Sequence, residues 1–216
     1  MPNPFASWDT TKQARFTARR FAPEIHLLLD ASGSMGLYAE ALRTCYSRYL
    51  AHIQRIAAPQ TMLDQRTFTE TVHAPRRVKL CEATPLEYCP GGGTRLYSAI
   101  SSVVSPAQDG GHLLVVFSDG MSSEPREIAA SLRAFWPVHP GWLPVFLGAF
   151  PEALSVGLAM GIAEGNCLCF GTHEFPEAFA RLTAGTTAYL LAPTTKERKQ
   201  LAQHGLLRKE DIVCQS

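Results

Sequence analysis

Residues 24–34 read EIHLLLDASGS, an apolar run that ends in an aspartate and is followed by two serines. A continuous apolar run of this length is typical of a parallel strand that is buried on both faces of a sheet. The same order of apolar run and aspartate returns in GHLLVVFSDG, residues 111–120. The two stretches therefore predict two buried strands, each followed by a loop that carries a carboxylate.

The rest of the chain alternates between strand and helix patterns. Apolar residues at helical spacing predict helices at residues 37–57, 94–104, 124–136, 151–163 and 174–186. Further strands are predicted at residues 61–68, 76–83, 143–150 and 166–171. This alternation predicts an α/β fold of three layers, with a doubly wound and mostly parallel sheet. The pair of strands before the glycine run has the pattern of a hairpin, which predicts one antiparallel strand at an edge.

The strand predicted at residues 61–68 is more polar than a central strand usually is. Asp64 and Gln65 lie in its middle, where apolar residues would be expected. The geometry of this strand is therefore left open by the sequence.

The 216 residues fit one α/β domain with short extensions. We predict an N-terminal arm at 1–20, the domain at 21–192 and a helical tail at 193–216. The arm is polar and basic and has no continuous apolar stretch, so it does not resemble a secretion signal. In the tail, Thr194 and Glu197 have the spacing of a capping box, and Gly205 is placed to end the helix. We expect this helix to pack on the domain.

The composition argues against several classes of partner. Lys and Arg number 20 and Asp and Glu number 19, so the formal net charge is only +1. This balance gives no sign of binding to nucleic acid or to a membrane surface, and the apolar runs are too short to cross a bilayer. The six cysteines include no CxxC pair, and Cys167 and Cys169 are expected to face one side of a strand as reduced thiols. Reduced thiols predict a cytoplasmic protein.

Three short stretches carry oxygen-bearing side chains where strands give way to loops or helices. These side chains are, in chain order, Asp30, Ser32, Ser34, Thr94 and Asp119. In an open α/β sheet, ligands bind outside the carboxyl ends of the strands, an edge that all three stretches can reach. Carboxylates and hydroxyls are the hard donors that Mg²⁺ prefers, and the stretches offer no soft ligand for zinc or copper. The sequence therefore predicts one metal centre formed by these five residues.

The three stretches together resemble the metal-ion-dependent adhesion site of the von Willebrand factor A family. That site combines a DxSxS motif after the first strand with a distant threonine and a distant aspartate. Here the matching stretches are DASGS at 30–34, GGGT at 91–94 and FSDG at 117–120. TFTETV at 67–72 is also similar to the exit of the family's second strand, and the resemblance spans about residues 20–192.

The resemblance implies a role for each of the five side chains. Ser32, Ser34 and Thr94 would contact the metal directly. Asp30 and Asp119 would act through water or through hydrogen bonds that orient the hydroxyls. One coordination position would stay open for a carboxylate from another protein. Mg²⁺ is the expected ion, with Mn²⁺ or Ca²⁺ as alternatives.

The compact chain is more similar to the stand-alone bacterial proteins of this family than to integrins. These include proteins associated with tellurium resistance and proteins paired with MoxR-type AAA+ ATPases. We therefore expect a protein-interaction module of a bacterial intracellular complex and not an enzyme. Its expected partner is an AAA+ ATPase or a member of a kinase or phosphatase system.

A hydrolase is the alternative that the same residues leave open. Asp30 would be the nucleophile of a haloacid dehalogenase-type phosphatase, but that chemistry needs an acid two residues later, where Ser32 stands. Ser34 would be the nucleophile of a serine esterase, but the usual nucleophile turn has glycine at the position of Ser32. PGGGTR is not a P-loop, because it lacks the GK[ST] sequence.

The histidines form no pattern in the sequence. His26 lies within the first strand and is expected to be a core residue and not a ligand. His73 and His112 border strands and are expected to face solvent.

Overall fold

The computed structural model describes residues 22–104, 111–150, 152–171 and 173–207. Within these residues the strands are β1 (Glu24–Asp30), β2 (Met62–Phe68), β3 (Arg76–Lys79), β4 (His112–Ser118), β5 (Trp142–Gly148) and β6 (Cys167–Cys169). The α-helices are α1 (Ala39–Ile56), α2 (Leu96–Val103), α3 (Arg126–Val138), α4 (Ala153–Ala159), α5 (Phe175–Leu191) and α6 (Thr195–His204). The arm predicted at 1–20 and the part of the tail after residue 207 lie outside the described residues.

The strands form one sheet in the order β3-β2-β1-β4-β5-β6. β3 is antiparallel to β2, and every other neighbouring pair is parallel. The predicted α/β fold with one antiparallel edge strand is confirmed. The direction of winding reverses between β1 and β4, so the carboxyl ends of these two strands flank the position where open α/β sheets bind ligands.

Hydrophobic cores lie on both faces of the sheet. Along β1, Leu27 and Leu29 face the core that α1 and α5 cover, whereas Leu28 faces the core that α2, α3 and α4 cover. Burial of each such leucine contributes about 1.5–3 kcal/mol. The apolar run of β1 is therefore explained by the burial of both of its faces.

The polar residues of β2 are buried with partners. The carboxylate of Asp64 accepts a hydrogen bond of 2.6 Å from the guanidinium of Arg66. The side chain of Gln65 donates to a backbone carbonyl at 3.3 Å and accepts from the hydroxyl of Tyr46. Burial alone would raise the pKa of Asp64, but the neighbouring His26 and Arg66 outweigh burial and hold the pKa at about 2. Paired polar groups of this kind are compatible with an interior strand.

Two helices differ most from the sequence prediction in their length. The helix predicted at 151–163 is shorter, since α4 ends at Ala159. Gly161 follows with φ of +81°, a left-handed conformation that cannot continue a helix. The helix predicted at 174–186 is longer and continues to Leu191.

The helix of the C-terminal tail packs on the domain, as predicted. The hydroxyl of Thr194 accepts from the backbone N–H of Glu197 at 3.2 Å, and the Glu197 carboxylate accepts from the N–H of Thr194 at 3.0 Å, so the capping box is confirmed. After the helix, the N–H of Leu206 donates to the side chain of Asn166 at 2.6 Å. Among the described helices, none is both long enough and apolar enough to cross a membrane.

Candidate metal centre

The predicted metal-binding stretches begin at the ends of neighbouring elements. Asp30 is the last residue of β1, Asp119 directly follows β4, and Thr94 lies two residues before α2. β1 and β4 are paired in parallel up to Leu29 and Phe117. The two aspartates therefore leave the sheet side by side at its carboxyl edge.

Backbone hydrogen bonds join the first stretch to the second. The N–H of Gly33 donates to the carbonyl of Gly92 at 2.9 Å, and the N–H of Gly91 donates to the carbonyl of Ala31 at 2.8 Å. Gly92 has φ of +76°, which a residue with a side chain rarely adopts. The glycine run therefore lets the second loop lie against the first.

Asp30 is fully buried, and hydrogen bonds fix both of its carboxylate oxygens. Oδ1 accepts from the N–H of Ser32 at 2.8 Å, and Oδ2 accepts from the hydroxyl of Ser118 at 2.6 Å. Burial raises the pKa of Asp30 to about 6, the charge of Asp119 adds to this effect, and the two hydrogen bonds oppose it. Two carboxylates close together in a buried position favour a neighbouring positive charge.

The two serines of the first stretch lie together at the surface boundary. Their hydroxyl oxygens are 3.1 Å apart, with Ser32 buried and Ser34 exposed. The arrangement places two hard oxygen donors beside the carboxylate of Asp30, and solvent reaches the donor on Ser34.

Asp119 has an oxygen whose hydrogen bonding is incomplete. Oδ1 accepts from the N–H of Met121 at 2.9 Å, whereas Oδ2 is buried without a hydrogen-bond partner among the described residues. A buried carboxylate oxygen normally has a partner, because leaving it unpaired costs about 1–3 kcal/mol or more. Carboxylate oxygens are hard donors, so a hard divalent cation would suit an unpaired oxygen of this kind.

The loop after β4 also contacts the second stretch. Thr94 is buried, and its carbonyl accepts from the N–H of Ser123 at 3.3 Å and from the Ser123 hydroxyl at 3.1 Å. The end of β4 thus contacts Asp30 through Ser118, and the loop after β4 contacts the loop that carries Thr94. The structure brings all three predicted stretches together at one edge of the sheet.

Glu124 contacts the start of α2, next to the loop that carries Thr94, and the sequence analysis did not identify it. Its carboxylate accepts from the N–H of Tyr97 at 2.7 Å and from the N–H of Ser98 at 3.2 Å, in the first turn of α2. The sequence pattern placed Glu124 at the start of its own helix, but α3 begins at Arg126. The contact joins residues 26–27 positions apart, which no local pattern reveals.

Of the three histidines considered in the sequence analysis, one is exposed and two form a buried pair. His73 is exposed and His26 is buried, as predicted. The prediction that His112 faces solvent is wrong, because His112 is only 4% exposed. It begins a strand whose two faces are both covered. Burial lowers the pKa of His112 to about 4, with the charges of His26 and Arg77 contributing, so its imidazole is neutral at pH 7.

Open, doubly wound α/β sheets bind their ligands at the carboxyl ends of the strands, and this sheet has carboxylates and hydroxyls at that position. No protein-family model and no curated protein sequence matches the chain. Several solved structures match its fold. The vWF domain of the type V pili tip protein Mfa5 from Porphyromonas gingivalis has a TM-score of 0.59 at 10% identity, over 79% of this chain and 96% of that one.

Two further solved structures, both of longer chains, also match the fold. The von Willebrand factor type A protein from Catenulispora acidiphila has a TM-score of 0.53 at 12% identity over 78% of this chain. The PilB minor pilin from Streptococcus sanguinis has a TM-score of 0.57 at 12% identity over 79% of this chain. This chain spans 43% of the first protein and 62% of the second. At such low identity the likeness concerns the fold, and the chain has the von Willebrand factor A fold.

Proposed function

We propose that the chain is a metal-dependent protein-binding module. The residues that would hold the ion are Asp30, Ser32, Ser34, Thr94 and Asp119. The observation that carries the proposal is the buried Oδ2 of Asp119, which lacks a hydrogen-bond partner among the described residues. It lies where hydrogen bonds join three loops. A bound cation would stabilise the negative charge of Asp119 beside the carboxylate of Asp30.

The donors favour Mg²⁺, with Mn²⁺ and Ca²⁺ as alternatives. The hydroxyls of Ser32, Ser34 and Thr94 would bind the ion directly. Asp30 would orient the first of them, because its carboxylate already accepts from the Ser32 backbone. The bound ion would supply a positive charge that a carboxylate of a partner protein completes.

Exposed apolar side chains at the same edge of the sheet support a protein as the partner. Leu37 is 85% exposed, Met121 is 61% exposed and Phe150 is 47% exposed. They lie in the segments that follow β1, β4 and β5, with Leu37 in a short 3-10 helix, so all three belong to the edge that carries the candidate centre. Exposed apolar groups beside a polar site are typical of protein interfaces. We infer a partner whose acidic residue is flanked by apolar side chains.

The sequence resemblance suggests which kind of protein this partner is. We propose an AAA+ ATPase or a member of a kinase or phosphatase system, within a bacterial cytoplasmic complex. A carboxylate on such a protein would complete the coordination of the ion.

The geometry favours binding over hydrolysis. Asp30 is fully buried, so a substrate does not reach its carboxylate. The hydroxyl of Ser34 lies 3.1 Å from that of Ser32, whereas a serine hydrolase needs a general base beside its nucleophile.

Calorimetric titration with MgCl₂ tests the proposed centre. We expect one site per chain, with affinity at least about tenfold lower in Ser34→Ala and in Thr94→Ala, since each removes a direct ligand. Ser131→Ala, which removes an exposed hydroxyl of α3, serves as the control and should bind as the wild type does. Equal affinity in all four proteins would exclude the proposed ligands.

A further inference from the structure

A pair of buried histidines lies at the end of the sheet opposite the candidate metal centre. His26 in β1 is 3% exposed and His112 at the start of β4 is 4% exposed. Nε2 of His26 lies 3.2 Å from Nδ1 of His112. Each ring has another nitrogen, Nδ1 of His26 and Nε2 of His112, that is buried without a hydrogen-bond partner among the described residues.

The spacing of the two facing nitrogens fits two ligands of one metal ion. In tetrahedral zinc coordination, with Zn–N bonds near 2.0–2.1 Å, two imidazole nitrogens lie about 3.3 Å apart. The 3.2 Å separation is also that of a hydrogen bond, so the distance alone does not decide between them. A third ligand near the two rings would favour a metal site over a simple hydrogen bond.

Glu24 supplies that third ligand. It is the first residue of β1 and the register partner of His112, so its side chain lies on the same face as the two rings. Ligand atoms of all three residues lie within 4.8 Å of one another. Arg77 also contacts Glu24, with Nε 2.8 Å from Oε1 and Nη2 3.0 Å from Oε2. Each carboxylate oxygen can accept more than one bond, so one oxygen can bind a metal while the carboxylate keeps its contact with this arginine.

An outer carboxylate is present as well. Oδ2 of Asp64 lies 3.6 Å from Nδ1 of His26, on the side of the ring that faces away from His112. Histidines that bind metal usually present their second nitrogen to a carboxylate, which fixes the ring and makes it a better ligand. Asp64 is itself held by Arg66 at 2.6 Å. Arg66, Asp64 and the histidine pair therefore form a continuous row of polar contacts.

We propose that Glu24, His26 and His112 form a second metal site, of the His₂Glu type, that binds Zn²⁺. Nitrogen ligands suit zinc and related transition metals, whereas the oxygen donors at the other end of the sheet suit Mg²⁺. His26 and Asp30 are four residues apart along β1, which places the two sites about 13 Å apart. The second site joins the amino ends of the two central strands and stands independently of the proposed function.

Titration of the chelator-treated protein with ZnCl₂ in excess MgCl₂ tests the second site. We expect one zinc per chain and a rise in melting temperature of about 5 °C. Glu24→Gln should lower the zinc affinity about tenfold or more, because it replaces a ligand at a partly exposed position and should leave the fold intact. His112→Gln should abolish binding, with circular dichroism to check its folding. His204→Gln removes an exposed histidine of α6 and should bind zinc as the wild type does.

Two further measurements distinguish zinc at the second site from zinc at the Mg²⁺ centre or at the cysteines. Thr94→Ala should keep its zinc affinity, so a failure of the proposed Mg²⁺ centre would not affect this result. Co²⁺ in place of zinc should give a visible spectrum without thiolate charge-transfer bands. Such bands would assign the ion to cysteines and overturn the proposal, as would a folded wild type that binds no zinc or a Glu24→Gln variant with unchanged affinity.

Discussion

Ser118 connects the two central strands at the residue scale. Its hydroxyl donates to Oδ2 of Asp30 at 2.6 Å and accepts from the N–H of Gly120 at 3.1 Å. One small side chain thus orients the Asp30 carboxylate and shapes the turn that carries Asp119. Its hydrogen bond favours the charged form of Asp30 and so opposes the effect of burial.

Ser118→Ala should therefore destabilise the protein and weaken Mg²⁺ binding together. It leaves a buried carboxylate oxygen without its donor, which costs about 1–3 kcal/mol of unfolding free energy. Urea denaturation and calorimetry measure the two effects. Ser131→Ala is the matched control, with a change within about 0.5 kcal/mol. An unfolding free energy in Ser118→Ala equal to that of the wild type would contradict the role given to this hydrogen bond.

The sequence predicted which residues lie at the carboxyl edge but not how they are oriented. Asp30 and Asp119 follow apolar runs, and parallel strands end at one edge, so their proximity could be inferred. The bond from Ser118 to Asp30 spans 88 residues and depends on the order of the strands. The burial of His112 was missed for a similar reason, since the layers that cover it are distant in sequence.

At the scale of elements, helix α2 depends on a residue outside it. Its first turn has no side-chain cap from its own N-cap residue, Arg95. The carboxylate of Glu124 takes this place by accepting from two N–H groups of the first turn, and its charge is favourable at a helix N-terminus. Because Thr94 lies only two residues before this helix start, we expect the cap to help position a proposed metal ligand.

Glu124→Ala should lower stability by about 1–2 kcal/mol through loss of this cap. It should also weaken Mg²⁺ binding, because the loop that carries Thr94 loses its fixed end. Glu127→Ala, which removes an exposed carboxylate in the first turn of α3, is the control and should have a smaller effect on stability and none on the metal. Thermal unfolding with and without MgCl₂ measures both properties. A loss of stability in Glu124→Ala with unchanged Mg²⁺ affinity would contradict the proposed role of this cap in positioning Thr94.

Element types could be predicted from periodicity more reliably than element ends. The buried strands β1, β4 and β5 read as continuous apolar runs because helices cover both faces. The end of α4 depends on the left-handed conformation of Gly161, against which Arg133 of α3 packs closely. A glycine inside an apolar helical pattern does not by itself reveal such a contact.

At the scale of the whole molecule, the sheet places different chemistry at its two ends. Carboxylates and hydroxyls gather at the carboxyl edge, and the histidine pair lies at the amino edge. The exposed apolar residues Leu37, Met121 and Phe150 belong to the first of these edges. A partner that contacts them would also cover the candidate metal centre.

A double variant, Met121→Ser with Phe150→Ser, should therefore weaken binding of a partner without changing the affinity for Mg²⁺. We expect at least about a tenfold loss, since buried apolar anchors carry much of the energy of an interface. The matched control is Val138→Ser with Leu191→Ser, which changes two exposed apolar residues outside the segments that follow β1, β4 and β5. Surface plasmon resonance against a partner captured in the presence of Mg²⁺ measures the difference. Equal losses in both double variants would show that the apolar residues at the carboxyl edge have no special role.

The proposed function depends above all on the hydroxyls of Ser32, Ser34 and Thr94 binding one hard cation beside Asp30 and Asp119. Crystals grown with MnCl₂ and measured for anomalous scattering would show directly whether they do. We expect a manganese peak in contact with the three hydroxyl oxygens, at about the short distances of hard-cation coordination. A map with no peak there, and with the three side chains directed to separate places, would contradict the proposed metal centre.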